Sequence, residues 1–105
     1  MIARIWRGRT RADQSDDYLT FLQRTGFAEY RATDGNRGVL CLRREVDGAA
    51  EFTLITLWDS MDAIRRFAGD EPERAKYYPD DPNYLLEMTP FVDHYEVAWR
   101  DLGPA

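Results

Sequence analysis

Between Phe52 and Phe67 the chain runs FTLITLWDSMDAIRRF, and this stretch restricts the fold more than any other. From Phe52 to Trp58 both alternating sets are apolar or small: Phe52, Leu54, Thr56 and Trp58 on one side, Thr53, Ile55 and Leu57 on the other. A strand with one wet face alternates apolar with polar residues, so this pattern predicts a strand covered on both faces. Asp59-Ser60 breaks it, and the Ser60 hydroxyl is suited to cap a helix by accepting from an orphaned N–H. Ala63, Ile64, Phe67 and Ala68 follow at helical spacing, with Asp62, Arg65 and Arg66 opposite. Trp58 therefore stands where a strand ends and a helix begins.

The flanking segments supply the other elements. Ile2 to Gly8 reads as a first strand, with Ile2, Arg4 and Trp6 on one side and Ala3, Ile5 and Arg7 on the other. Asp13 or Ser15 can cap a first helix carrying Tyr18, Leu19, Phe21 and Leu22, which ends at Gly26 or runs on through Phe27 and Tyr30. Asp34-Gly35-Asn36 is a turn, Gly38 to Glu45 a second strand, and Asp47-Gly48 a hairpin into the central strand. Gly69 ends the helix after Trp58, and Glu71-Pro72 predicts a further short helix to about Tyr77. Tyr78 to Pro90, with three prolines and no clean period, reads as a long loop carrying a short helical turn, the kind of segment that forms pocket walls. Phe91 to Trp99 is the last strand.

The order strand, helix, strand, strand, helix, strand is the split βαβ, or ferredoxin-like, arrangement. Right-handed crossovers put the first and third strands in the middle of a four-stranded antiparallel sheet, giving an α+β fold. Helices then cover one face only. The other would expose Val, Leu, Ile and aromatic side chains, so a second copy is expected to pack against it, sheet to sheet, around a twofold axis.

At 105 residues the chain makes one domain, spanning 1–99, with 100–105 as a tail. The net charge of −5 argues against nucleic acid as a partner, because phosphate neutralisation needs a basic surface. Arg4, Arg7, Arg9 and Arg11 crowd the N-terminus with no acid between them, as a local anion patch or as solvated strand-edge charges. One cysteine, Cys41, excludes an internal disulfide. No leader segment and no membrane-length apolar run is visible, so a cytoplasmic protein without membrane attachment is expected.

With the strands in order, the chain resembles the antibiotic biosynthesis monooxygenase (ABM) domain family of the dimeric α+β barrel superfamily, from Ile2 to Trp99. The resemblance is carried by IARIWRG at the start, TLWDSMDAIRRFAGDEPERAKYYPDD in the middle and HYEV near the end. It implies a homodimer with a pocket between sheet and helices, and Trp58 matches the pocket tryptophan of such proteins. Haem-degrading relatives also need an asparagine on the first strand and a histidine in the second helical region. Here the strand offers Arg4, Trp6 and Arg7, and no histidine lies between Asp59 and Tyr78, so haem cleavage is not expected. Relatives that oxidise anthrones pair the tryptophan with an asparagine where this chain has Leu54, and use a tyrosine, for which Tyr77 and Tyr78 are the candidates.

The resulting expectation is a cofactor-independent monooxygenase of a small aromatic or enolisable, quinone-forming substrate. Such an enzyme needs a base, donors for an enolate oxygen and a dry, ring-lined hollow. The catalytic candidates are His94, Trp58 and Tyr77, and the substrate-binding candidates are Trp6, Arg7, Tyr78 and Arg43. His94, the only histidine, is either a base or a bonded interface residue. Trp58 and Trp6 serve as core in any case, Tyr77-Tyr78 as lid or plug, and Arg7 and Arg43 as anion ligands or surface charges. Asp80-Asp81 reads as a turn with no catalytic part, and no metal-ligand cluster is visible. Two rivals remain: a dimeric binding module for an aromatic metabolite, and a small lyase or isomerase using His94.

Overall fold

A computed structural model describes residues 1–104. Four strands, β1 (Ile2–Arg11), β2 (Asn36–Val46), β3 (Ala49–Trp58) and β4 (Asp93–Glu96), form one sheet in the order β2-β3-β1-β4. Every pairing is antiparallel, with β1 and β3 in the middle. Helices α1 (Ser15–Arg24) and α2 (Gly26–Ala32) make the first crossover, and α3 (Met61–Ala68) begins the second. This is the ferredoxin-like α+β fold.

Local chemistry accounts for the joints. Asp47 and Gly48 both have positive φ, 54° and 78°, as the two-residue hairpin between β2 and β3 requires. The Ser60 hydroxyl accepts from the Ala63 N–H at 3.1 Å and starts α3, and Gly69, at φ 88°, ends it. Neither Asp13 nor Ser15 caps α1; Ser15 Oγ instead accepts from Arg43 at 3.0 Å. Gly26 opens α2 rather than closing α1, and the break falls at Thr25, whose hydroxyl donates back to the Phe21 carbonyl.

The expected helix from Glu71 to Tyr77 does not form. Arg74 bridges Phe91, the Ala75 N–H donates to the Pro90 carbonyl and the Val92 N–H to that of Glu73, so an antiparallel pairing takes the backbone groups a helix would have used. The loop that follows carries a single 3-10 turn, Asp81–Asn83.

Register fixes the faces. Toward the helices point Arg4, Trp6, Gly8 and Thr10 of β1, Phe52, Leu54, Thr56 and Trp58 of β3, and His94 of β4. Around them lie two core clusters, one holding Trp6, Tyr18, Phe21 and Phe52, the other Tyr30, Trp58, Ala63, Ile64 and Phe67. The other face carries Ile5, Leu40, Leu42, Val46, Ile55, Leu57 and Tyr95. Leu40, Leu42 and Tyr95 are each at least half exposed there in the single chain, while Thr53, Ile55 and Leu57 of β3 are half-buried.

Candidate functional site

Where the two core clusters meet under the helices, a pocket opens beside β1. Its walls include Arg4 and Trp6 of β1, Leu54 of β3, Phe67 of α3, and Tyr77, Tyr78 and Asp81 of the long loop. The free space is about 30 Å³, room for one or two waters. It is not the dry, purely ring-lined hollow expected from the sequence, because two cations, Arg4 and Lys76, and the Asp81 carboxylate share the wall with the rings.

Trp6 is set by its neighbour on the same face. A Cβ on Gly8 would lie 2.3 Å from the Trp6 ring, so only glycine lets the indole lie flat along the strand. The indole Nε1–H donates to the Tyr77 hydroxyl at 3.1 Å, and that hydroxyl donates to the Thr89 carbonyl. The rings meet edge to face with centroids 6.2 Å apart. Thr89 Oγ1 donates in turn to the Arg7 carbonyl at 2.9 Å, which ties the loop's far end to β1.

Both carboxylates of the site are fully engaged. Glu29 of α2 accepts from the Tyr78 hydroxyl and from Lys76 Nζ at 2.8 Å. Burial pushes Glu29 upward, but these hydrogen bonds outweigh it and hold the carboxyl below its ordinary value. Tyr78 is raised by burial first and by Glu29 second. Asp81 accepts from the Tyr18 hydroxyl at 3.0 Å and from the Tyr78 N–H at 2.6 Å. It is buried, and burial keeps its pKa above the usual aspartate range despite those two donors. Asp81 does sit in a turn, as the sequence suggests, but the turn folds it into the pocket wall.

Arg4 is the unexpected member. Only 3% of it is exposed. Its Nη2 donates to the carbonyls of Arg74 at 2.8 Å and Pro72 at 3.4 Å, and its guanidinium lies 5.5 Å from the centre of the Phe67 ring. The Nε is buried with no acceptor. Opposite it across the β1–β4 ladder is His94, whose Nε2 is also buried and unpartnered. Burial, and then the Arg4 charge, hold the His94 pKa below its ordinary 6.5 against the opposing pull of Glu73 and Asp93. The imidazole is therefore neutral at pH 7.

Of the residues singled out from sequence, Trp6, Tyr77 and Tyr78 converge on the pocket, and His94 stands next to it beside Arg4. Trp58 does not reach it. Fully buried between Tyr30 and Phe67, it spends its indole N–H on Thr56 Oγ1 at 2.8 Å. Arg7 points to the opposite face and pairs with Asp93 at 3.2 Å, both well exposed. Arg43 lies on the helix-covered face but at the β2 edge, bonded to Ser15 and Asp16, away from the pocket. The arginine that does line it, Arg4, shares the strand side of Trp6, and that shared parity was the available signal.

Among the described residues no three His, Cys, Asp or Glu side chains gather closely enough to hold a metal ion. No helix among them is long and apolar enough to cross a membrane.

Neither family models nor curated proteins match this sequence. Solved structures do. The chain is similar to a candidate antibiotic biosynthesis monooxygenase from Bacillus cereus, with 17% identity, 97% of each chain covered and a TM-score of 0.60. It is equally similar to a mutant of MhuD with two manganese protoporphyrin IX bound per active site, with 16% identity, 98% of this chain and 100% of that one covered and a TM-score of 0.61. The likeness is one of fold. It agrees in kind and extent with the ABM resemblance carried by the sequence. As it stands, the free space beside Arg4, about 30 Å³, admits neither a porphyrin nor a smaller aromatic ring, and the single histidine lies on β4.

Proposed function

We propose that this chain is a cofactor-independent monooxygenase of a small aromatic or enolisable, quinone-forming substrate, working as a homodimer. The observation that carries the reading is the wall formed by Trp6, Tyr77 and Tyr78, with one buried imidazole nitrogen nearby that no protein group uses.

The reaction needs a base that is free to accept a proton. Glu29 and Asp81 each have both oxygens occupied. His94 is neutral at pH 7 with Nε2 unpartnered, which makes it the base. It takes the proton of a phenol or enol O–H. The resulting anion passes one electron to dioxygen, and the radical pair combines to a C–O–O bond. The peroxide anion takes back the proton from the His94 imidazolium, and loss of water from the resulting hydroperoxide leaves a carbonyl, so one oxygen atom enters the product and the other leaves as water. The Tyr77 hydroxyl, already accepting from Trp6, orients the ring and shields the intermediate from solvent. A ring needs more room than the free space offers, so its entry requires the wall from Tyr77 to Thr89 to move away from Arg4 against its ties to β1, from Trp6 to Tyr77, from Arg9 to Leu86 and Glu87, and from Arg7 to Thr89.

Dimerisation follows from the bare sheet face, where Leu40, Leu42 and Tyr95 gather around Ile5, Ile55 and Leu57. A second copy laid on this face closes the α+β barrel.

The tight pocket and the engaged carboxylates favour a second reading, a dimer that binds an aromatic metabolite without chemistry. An oxygen electrode separates the two. With anthrone as substrate, the oxygenase consumes oxygen and His94→Ala abolishes the uptake; a binding module saturates without consumption.

A further inference from the structure

Arg4 carries a charge that the protein leaves unanswered. It is 3% exposed, and among the described residues no carboxylate approaches it within ion-pair distance. Its acceptors are two neutral carbonyls and the face of Phe67. Burying a guanidinium without a counter-ion is among the more expensive things a small domain can do, and such groups are ordinarily paired or absent. The other charges of the pocket are matched: Lys76 with Glu29, and Asp81 with its two donors. Among the described residues three buried side-chain polar atoms have no partner: Asn36 Nδ2 on β2, and Arg4 Nε and His94 Nε2, which belong to residues paired directly across β1 and β4. Native interiors leave few such atoms unsatisfied, and a pair at one register position beside a pocket is suited to hold a polar group of a ligand.

We infer that Arg4 is the receptor for an oxyanion: the pocket's ligand is an acidic aromatic whose ionised oxygen is held by Arg4, with His94 as the second contact. This rests on the proposed function for where the substrate sits, and it names the substrate class. A phenol or enol that gives its O–H proton to His94 Nε2 leaves an oxyanion between the guanidinium and the newly formed imidazolium N–H, and no further reactant is needed for that step. A ring that arrives already ionised, as a carboxylate does, takes the same place without the proton transfer. Neutral rings of equal size have nothing to offer Arg4.

Two probes test this. 4-Nitrophenol ionises near neutrality and its anion absorbs in the visible, so its own pKa can be read while bound. Benzoate and benzamide differ in charge at nearly constant shape. Wild-type protein is expected to lower the apparent pKa of bound 4-nitrophenol by about one unit, a tenfold preference for the anion, and to bind benzoate at least tenfold more tightly than benzamide. Arg4→Met, which keeps the length of the side chain without its charge, should lose both preferences, and Arg4→Lys should retain part of them. A purely structural Arg4, tethering Pro72 and Arg74, would shift the melting temperature of these variants and leave the benzoate-to-benzamide ratio unchanged. The wild-type readings decide even if the variants do not fold: a bound 4-nitrophenol whose pKa rises, equal affinity for benzoate and benzamide, or no binding of any probe overturns the inference. Oxygen uptake distinguishes the two levels. Arg4-dependent probe binding without uptake sinks the oxygenase and leaves the receptor standing, whereas uptake unaffected by Arg4→Met does the reverse.

Discussion

The indole N–H of Trp6 meets the hydroxyl of Tyr77 at 3.1 Å, across 71 positions of sequence. Through this bond the first strand holds the near end of the long loop, and the same hydroxyl donates onward to the Thr89 carbonyl at the loop's far end. One phenol thus ties both ends of the pocket wall to the sheet.

Tyr77→Phe removes that tie with little change of volume. The Trp6 N–H and the Thr89 carbonyl lose their partner, at a cost of about 1–3 kcal/mol in stability by urea unfolding. In a Trp99→Phe background, which removes the exposed indole, the loosened wall should also raise the quenching of tryptophan fluorescence by iodide. A variant as stable as the wild type would show that the bond contributes nothing to the wall.

Trp58→Phe separates packing from chemistry. The indole touches Tyr30 and Phe67 and bonds Thr56, with no atom on the pocket, so the change acts through the core. Removing the side chain altogether, as in Trp58→Ala, should cost about 3–5 kcal/mol. The phenylalanine variant should lose a fraction of that and keep its rate of oxygen uptake per folded protomer. A collapse of uptake in a well-folded Trp58→Phe protein would restore the tryptophan to the site.

How far these roles could be read in advance depended on the range of the forces involved. β3, the Ser60 cap and α3 were legible because each rests on neighbours in sequence: alternation, one hydroxyl three residues from its N–H, and a helical stripe. No helix forms over Glu71 to Tyr77 because the backbone there bonds to Phe91 and its neighbours, a pairing no local pattern carries. Arg4 looked like one of four equivalent N-terminal arginines. Its burial depends on the Pro72 and Arg74 carbonyls, 68 and 70 positions away. Parity alone, however, places Trp6 and Arg7 on opposite faces, so they could never have lined one pocket.

His94 gives the fold a pH dependence whose sign can be stated. Its folded pKa lies below the ordinary 6.5, so between those two values the unfolded chain binds more protons than the native one. Stability therefore rises with pH across that window and is lost as the pH falls through it; below both values the contribution is constant. Arg4, Glu73 and Asp93 are the charged groups acting on the imidazole. Urea midpoints of the wild type and His94→Gln, compared from about pH 5 to about pH 7, should diverge toward acid with the variant less sensitive. Parallel curves would contradict a half-buried imidazole held neutral by the fold.

The uncovered sheet face makes a prediction independent of the pocket. Leu42 lies near the middle of β2 on that face, half exposed in the single chain. Leu42→Asp should turn a dimer into a monomer by light scattering after gel filtration, since a carboxylate would be buried unpaired at the seam. A wild-type protein that is monomeric at all concentrations would remove the barrel.

Dioxygen stoichiometry tests the central claim most directly. Purified protein turning over anthrone should consume one molecule of dioxygen for each anthraquinone formed, without added metal, flavin or haem, and His94→Ala should reduce the rate to that of the spontaneous reaction. Anthrone that binds saturably while oxygen stays constant, or uptake that survives His94→Ala unchanged, would contradict it.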